Sequence, residues 1–539
     1  MPDLQGLQMS AAAGLAPVPP ALGGTVGGMF RDAALGNPLG IALRDGARSL
    51  TYRDLDAEVD RLAGALRVAG VVRGDRIAIL SENSIEFVLI MLAAARTGAI
   101  AACLNWRQTA EEIAYCLRLT APRLLFLSDR FRSLVDPVPV ALRRVTFGAE
   151  FRNFLATATA TATDYGADNG SGGTAEVPVE SEDGLLILFT SGTTGRPKAP
   201  VISHRAVIAR GLMMRADWGV RRSDGFIAWS PLSHMAAADP TLASLMQGAT
   251  VTLLPGFDPP GIVEALMQHS VGWMILMPGM IERLAEELEQ RNALPVRVAA
   301  AGCMANLVPA EQIARISRLL AAPFLNSFGS TETGIAPASG NWIAPGEAPL
   351  SLGKLQSTAC EIRLVDPAGR DVPEGQTGEI WLRSPGLFSG YWADPQATAE
   401  AFAGGWYRMG DDFRRDAEGL LHFADRSKYL IKSGGENIYP AEIELILRNL
   451  DGVSDAVVVR RPDPKWGEVP VAFIVAAPDR RPSTGQVRAA LEARLARFKL
   501  PKEIHFIEDQ DIERNTTGKI RRDLLERRAL AGTREEEIG

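Results

Sequence analysis

The chain has 539 residues, 46% hydrophobic and 22% charged, with 57 Lys plus Arg against 64 Asp plus Glu and a formal net charge of −7. That length exceeds one ordinary domain of roughly 100–200 residues, which excludes a single small binding module. The mild acidic excess gives no electrostatic reason to expect nucleic acid as a partner. Cys103, Cys116, Cys303 and Cys360 form no CxxC pair, so neither a disulfide framework nor a thiolate zinc site is written here, and a reducing, cytoplasmic compartment is expected.

Residues 1–30 open on MPDLQGLQMSAAAGLAPVPP, which lacks the basic start and continuous apolar run of a secretory signal and reads as a mobile leader. From Leu50 to Asn83, Leu62, Leu66 and Val68 recur at helical spacing, Gly70 and Gly74 punctuate, and Ile77 to Leu80 is a short apolar strand. The longest apolar stretch, Phe87 to Leu104, is broken by Arg96, Thr97 and Gly98. It falls short of the roughly 20 residues a bilayer span needs and reads as a buried helix followed by a strand, so no integral membrane association is expected. Further short apolar runs, RLLFLS, DGLLILFT, FIAWS, ATVTLLP, GWMILMP and VRVAAAG, each lead into a helical pattern or a Gly/Pro break. This alternation predicts an α/β fold with mostly parallel, buried strands. Residues 156–177, ATATATATDYGADNGSGGTAEV, are poor in large apolar side chains and read as a surface loop. Residues 403–435 read as a second region of punctuation. Beyond it lie a helix from Ala441 to Leu450, strands at Asp455 to Val459 and Pro470 to Val475, and a helix from Thr484 to Phe498. The expected division is a large part over 31–425 and a small α+β domain over 426–539.

Chemistry concentrates first in LLILFTSGTTGRPKA. An apolar strand runs into Thr190, Ser191, Gly192, Thr193, Thr194 and Gly195, with Lys198 three residues on. Glycines allow backbone N–H groups close to an anion, hydroxyls add donors, and the ammonium supplies a point charge for phosphate. The spacing is not that of a Walker A loop, Pro197 opposes the helix such a loop needs, and no GxGxxG occurs. A Ser/Thr/Gly run after a strand is, by itself, also compatible with a plain turn.

FTSGTTGRPKA resembles the signature loop of the adenylate-forming enzymes, the superfamily of acyl- and aryl-CoA synthetases, adenylation domains and luciferases. NSFGSTETG (326–334), the segment 407–444 and NTTGKIRR (515–522) match in the same order, and with GEIWLRSPGLFSGYW the resemblance spans about Leu50 to Leu525. It implies ATP, Mg²⁺ and coenzyme A as cofactors, with Thr190 to Gly195 and Lys198 on the phosphates. Asn326, Ser327, Phe328 and Gly329 would contact the nucleotide, Phe328 standing where an aromatic packs on adenine. Thr331 would meet the α-phosphate, and Glu332 and Thr190 the metal. Asp411 and Arg426 match ribose or phosphate contacts, whereas the adjoining Asp412 reads as a solvated turn residue. Asp425 matches a hinge about which the small domain rotates between half-reactions, and Lys432, Gly434, Gly435 and Glu436 match a loop that meets the CoA arm. Tyr429 stands where an acidic residue is common. Lys519 matches the lysine that reaches the forming acyl-phosphate.

The segment WSPLSHMAAADP resembles the border of an acyl pocket, with His234 as a gate; a helix-start packing histidine is the plainer alternative. Met235, Ala236, Ala301, Gly302 and Cys303 would line that pocket. Small walls, with Met274, Met277 and Met280 opposite, imply a bulky hydrophobic acid: aromatic, alicyclic or a medium- to long-chain fatty acid. The same methionines also read as plain core. The expected activity is an AMP-forming acyl-CoA ligase acting on a small-molecule carboxylic acid and CoA, with a homodimer as the candidate assembly. The alternative is a stand-alone adenylation enzyme that loads an acid onto a carrier protein.

Overall fold

The structure is a computed structural model that describes residues 24–136, 138, 142–165, 178–190, 197–426, 429–433, 436–463, 466–478, 480–495, 497–514 and 520–536. Two large sheets carry the N-terminal part. One has seven strands in the order Gly390–Tyr391, Pro200–Ser203, Gly184–Leu188, Ile100–Leu104, Arg76–Leu80, Leu124–Leu127 and Arg143–Thr146. The last five run parallel and the first two pair antiparallel. The other has eight, in the order Trp342–Ile343, Phe324–Asn326, Arg297–Cys303, Ser270–Ile275, Gly225–Ala228, Val251–Leu253, Ile41–Asp45 and Arg48–Thr51, parallel except at its two edges.

One continuous hydrophobic core joins both sheets through the helices Tyr52–Val68, Ile85–Thr97, His204–Trp218 and Met235–Gln247. Ile85–Thr97 is buried on all sides except at Glu86 and Arg96, as an all-apolar helix must be. Gly98 ends it in the left-handed region at φ 73°, where a side chain would be strained. The apolar run is therefore a buried helix and a strand, and among the described residues no helix is long and apolar enough to cross a membrane. All four cysteines are free and buried.

A third, antiparallel sheet comprises Glu361–Val365, Thr377–Arg383, Phe402–Ala403, Trp406–Arg415 and Leu421–Arg426. A fourth, containing Ile431–Ser433, Glu436–Ile438, Val453–Asp463, Gly467–Ala476 and Glu503–Ile507, packs the helices Pro440–Arg448 and Thr484–Glu492 into its own core. The side chain of Asp425, itself 3% exposed, accepts from the N–H of Ala441 at 2.8 Å, so the strand Leu421–Arg426 caps the first helix of the C-terminal region.

Five local expectations change. Of the expected leader 1–30, residues 1–23 lie outside the described residues, and Val26 and Phe30 are buried at the start of the helix Val26–Gly36, which their apolar side chains anchor in the core. The Ala/Thr run is helical as far as Tyr165, because Ala149–Tyr165 is anchored by Phe151 and Phe154 against Phe126 and alanine propagates a helix once it has started. The described residues within 403–433 are mainly β-structure rather than punctuation, since side chains there, such as Phe413, reach a small core that includes Phe328. Val68 lies half exposed at the end of its helix. The helix beginning at Thr484 ends at Glu492.

Candidate active site

Chemistry-bearing residues gather at the C-terminal ends of parallel strands from both large sheets, where α/β proteins hold ligands. Asn83 follows Arg76–Leu80, Asn105 follows Ile100–Leu104, and Thr190 follows Gly184–Leu188. From the other sheet, Trp229 follows Gly225–Ala228 and Ser327 follows Phe324–Asn326. Asn83 fastens the two sets together: its amide donates to the carbonyls of Ala228 and Ser230, both at 2.8 Å, and its oxygen accepts from Leu232 N–H at 2.8 Å. Asn83 is buried and these contacts all land on backbone, so this asparagine sets where the chain leading to His234 begins.

The phosphate-loop candidate is closed at its base. Thr190 and Lys198 exchange both backbone hydrogen bonds, at 2.9 and 3.0 Å, and Pro200–Ser203 then continues as a strand rather than a helix. Ser191, Gly192, Thr193, Thr194 and Gly195 lie outside the described residues. The ammonium of Lys198 sits 4.7 Å from the ring centre of Tyr391, within cation–π range. The Tyr391 hydroxyl donates to Oε1 of Glu332 at 3.0 Å, with the Tyr407 phenol nearby. Burial, reinforced by the nearby Glu332 carboxylate, holds both phenols well above the ordinary tyrosine range, so they stay donors. A positive group, a phenol and a carboxylate are thus in successive contact next to the pair Thr190 and Lys198.

Glu332 lies in a turn between the short strands Gly329–Ser330 and Gly334–Pro337. Ser330 N–H donates to the Thr333 hydroxyl at 2.9 Å, the Glu332 carbonyl accepts from Phe388 N–H at 2.8 Å, and the Thr331 carbonyl accepts from Arg210 at 3.1 Å. Among the described residues no three His, Cys, Asp or Glu side chains converge to hold a metal ion. A single carboxylate beside a phosphate loop still suits Mg²⁺, which keeps several waters and takes one or two carboxylates together with nucleotide oxygens. Oε2 of Glu332 has no protein donor among the described residues and would be the group to meet it.

Phe328 is 8% exposed, its ring edge-on to Phe413 at 4.8 Å. The oxygen of the Asn326 side chain accepts from Ala305 N–H at 2.9 Å and from the ammonium of Lys354. Lys354 is fully buried, and that burial pushes its pKa down to about 7. Cys303, nearby, is pushed up to about 12, also by burial. Asp411 lies directly opposite Arg426 in the antiparallel pair. Asp412, expected as a solvated turn residue, is a buried strand residue opposite Asp425, because the segment continues as sheet.

On the other flank, His234 caps the helix Met235–Gln247 and lies 3.5 Å from the Asn105 amide, at the outer limit of a hydrogen bond. Met235 and Ala236 are half-buried next to it. Ala301 is fully buried in the sheet, as is Met274. Gly302 is where a Cβ would stand 2.2 Å from the Leu325 carbonyl, so close strand approach requires glycine there. Lys432 is exposed, its N–H donating to Glu468 at 2.8 Å, whereas Gly434, Gly435 and Lys519 lie outside the described residues. Glu436 begins the strand Glu436–Ile438.

Sequence reasoning missed Asn83, Asn105, Tyr391, Lys354 and the pair Arg210 and Asp239. Two of these had a readable signal, an asparagine placed just after an apolar strand in ILSEN and ACLNW.

Residues 30–392 match the family described as AMP-binding enzyme, and residues 442–519 match AMP-binding enzyme C-terminal domain. An indoleacetate–CoA ligase of Aromatoleum aromaticum is 35% identical over 494 residues, 89% of this chain and 94% of that protein. A feruloyl-CoA synthase of an Amycolatopsis species is 33% identical, covering 91% and 96%. A fatty acid–[acyl-carrier-protein] ligase, ScoC, of Streptomyces coeruleorubidus is 32% identical, covering 89% and 92%. Among solved structures, o-succinylbenzoate CoA synthetase from Bacillus subtilis, in complex with its acyl-adenylate intermediate, aligns with a TM-score of 0.78 at 25% identity over 92% of this chain and 97% of that one.

Proposed function

The chain belongs to the AMP-binding enzyme family and is an AMP-forming acid ligase, and from that premise we propose that it joins a bulky hydrophobic carboxylic acid to coenzyme A. A carboxylate oxygen attacks the α-phosphorus of ATP, the bond to the β-phosphate oxygen breaks, and an acyl-adenylate and diphosphate result. The CoA thiol then attacks the acyl carbon, losing its proton, and AMP leaves. Catalysis of the first step is positioning and charge neutralisation.

The observation that carries this reading is the line from Lys198 through Tyr391 to Glu332 beside the loop that Thr190 and Lys198 close. In it Lys198 and the loop Thr190 to Gly195 take phosphate oxygens, Thr331 the α-phosphate, and Glu332 a magnesium ion that neutralises phosphate charge when bound. Asp411 and Arg426 take the ribose. Lys519 serves adenylation, and the turn at Gly434 and Gly435 serves thioester formation. The parts 31–425 and 426–539 rotate about Asp425 between the two steps. His234, Met235 and Ala236 border the acid, and the small side chains there favour an aromatic, alicyclic or longer aliphatic group.

The test is AMP release from ATP with a panel of acids, with and without CoA. The proposal expects acid-dependent AMP formation coupled to CoA thioester. Lys519→Ala should slow adenylation at least about 100-fold while a supplied acyl-adenylate is still thiolated. AMP release that needs a carrier protein and ignores CoA would instead favour carrier loading, a second reading supported by the similarity to a carrier-protein ligase.

A further inference from the structure

Arg210 lies in the helix His204–Trp218, outside every motif read above, and Asp239 in the helix Met235–Gln247, near the end of WSPLSHMAAADP but with no role given to it there. Their side chains are 2% and 1% exposed and paired at 3.0 Å. The guanidinium is used on three sides: Nη1 on Asp239, Nη2 on the Thr331 carbonyl at 3.1 Å, and Nε on the Gly386 carbonyl at 2.9 Å. The turn is pressed against the arginine stem, since a Cβ on Gly334, whose φ is +75°, would stand 2.7 Å from its Cδ. Two residues beyond Gly386, Phe388 N–H holds the Glu332 carbonyl. Arg210 therefore grips both segments that define where Thr331 and Glu332 sit, and its counter-charge comes from the helix that His234 opens.

A buried ion pair is a weak source of stability, because desolvating two charges offsets their attraction, and an apolar pair of similar volume is often as stable. A planar fork that holds two carbonyls and a carboxylate at fixed angles offers geometry instead. We propose that Arg210 and Asp239 are positioning residues for adenylation, holding the Thr331–Glu332 turn in register with the helix that borders the acid. The inference rests on the reaction proposed above. An acid that shifts the helix moves Asp239, and through Arg210 the turn that meets the α-phosphate and the metal.

The two half-reactions separate this role from general support of the fold. Arg210→Lys keeps the charge and loses the fork. It should lower kcat for acid-dependent ATP–diphosphate exchange about 10- to 100-fold, with the acid KM and the thiolation of a supplied acyl-adenylate both within about 3-fold of wild type. Equal loss in both half-reactions, or exchange within about 2-fold of wild type, would overturn the proposal. If Arg210→Lys does not fold, Asp239→Asn and the double variant Arg210→Met with Asp239→Leu decide. The first should lose about 3- to 10-fold in exchange alone, and the second should fold yet exchange slowly. Wild-type exchange in either folded variant would sink the pairing. Wild-type protein that shows no acid-dependent exchange counts against the proposed reaction rather than the pair. Calorimetric binding of MgATP then provides the independent readout, with about 10-fold weaker affinity expected in the variants and unchanged affinity overturning the inference.

Discussion

The proposed nucleotide flank of the site and the proposed acid flank are built by opposite means. Around Glu332, fixed polar groups are hydrogen-bonded to one another: Tyr391 to Glu332, Phe388 N–H to the Glu332 carbonyl, Arg210 to the Thr331 carbonyl, Lys354 to Asn326. Beside His234, whose side chain meets the Asn105 amide at the 3.5 Å limit, stand the small or flexible side chains Met235 and Ala236, with the sheet residues Ala301 and Cys303 expected to complete that wall. The difference separates the invariant part of the reaction from the variable one. Triphosphate geometry is the same for every substrate and rewards a rigid polar frame, whereas an acid pocket walled by small side chains is altered by single methyl groups.

Breaking the polar frame should have the largest effect. Glu332→Gln keeps the shape and removes the charge, so adenylation kcat should fall about 10²- to 10³-fold in single-turnover assays. A loss below 5-fold would remove Glu332 from the phosphate and metal chemistry. Lys354→Met tests the buried charge behind Asn326. The folded pKa of about 7 lies below the ordinary 10.5, so between these values the unfolded chain holds more protons and wild-type stability rises with pH. The variant lacks that rise. In denaturant titrations its stability relative to wild type should be greater by roughly 2–4 kcal/mol at pH 7 than at pH 10. A pH-independent difference would show that burial does not perturb the amine.

Tyr391→Phe removes one donor to Glu332 and should cost about 3- to 10-fold in adenylation kcat, with the acid KM unchanged. An effect confined to the acid KM would place Tyr391 on the other flank. Ala236→Leu probes that flank directly: KM for the bulkiest accepted acid should rise about 5-fold while KM for ATP stays within 2-fold. Equal changes in both would erase the distinction between the flanks.

Much of the fold was legible in the chain because its strands are short apolar runs buried on both faces, and such runs announce parallel sheets. FTSGTTGRPKA was legible as a phosphate-loop candidate because hydroxyls, glycines and a lysine follow one strand, while the roles of NSFGSTETG followed from the resemblance to adenylate-forming enzymes. The Ala/Thr helix was not. Its outer turns carry no apolar stripe, and Phe151 and Phe154, packed on Phe126, start it. Asp412 was misread because a polar residue beside a glycine looks like a turn until its strand partner at Asp425 is seen.

By itself, the amino-acid sequence determined the class of architecture and the order of the motifs, since these depend on local composition and spacing, and the motifs' resemblance to adenylate-forming enzymes implied their chemistry. Only the tertiary structure decided which distant groups meet. Tyr391 reaches Glu332 across 59 residues and Asn83 reaches Ser230 across 147, distances over which sequence patterning carries no information about contact. Arg210 shows the same limit. An arginine within a helix reads as a surface charge, and only the convergence of two helices, a turn and a loop removes it from water and supplies every one of its partners.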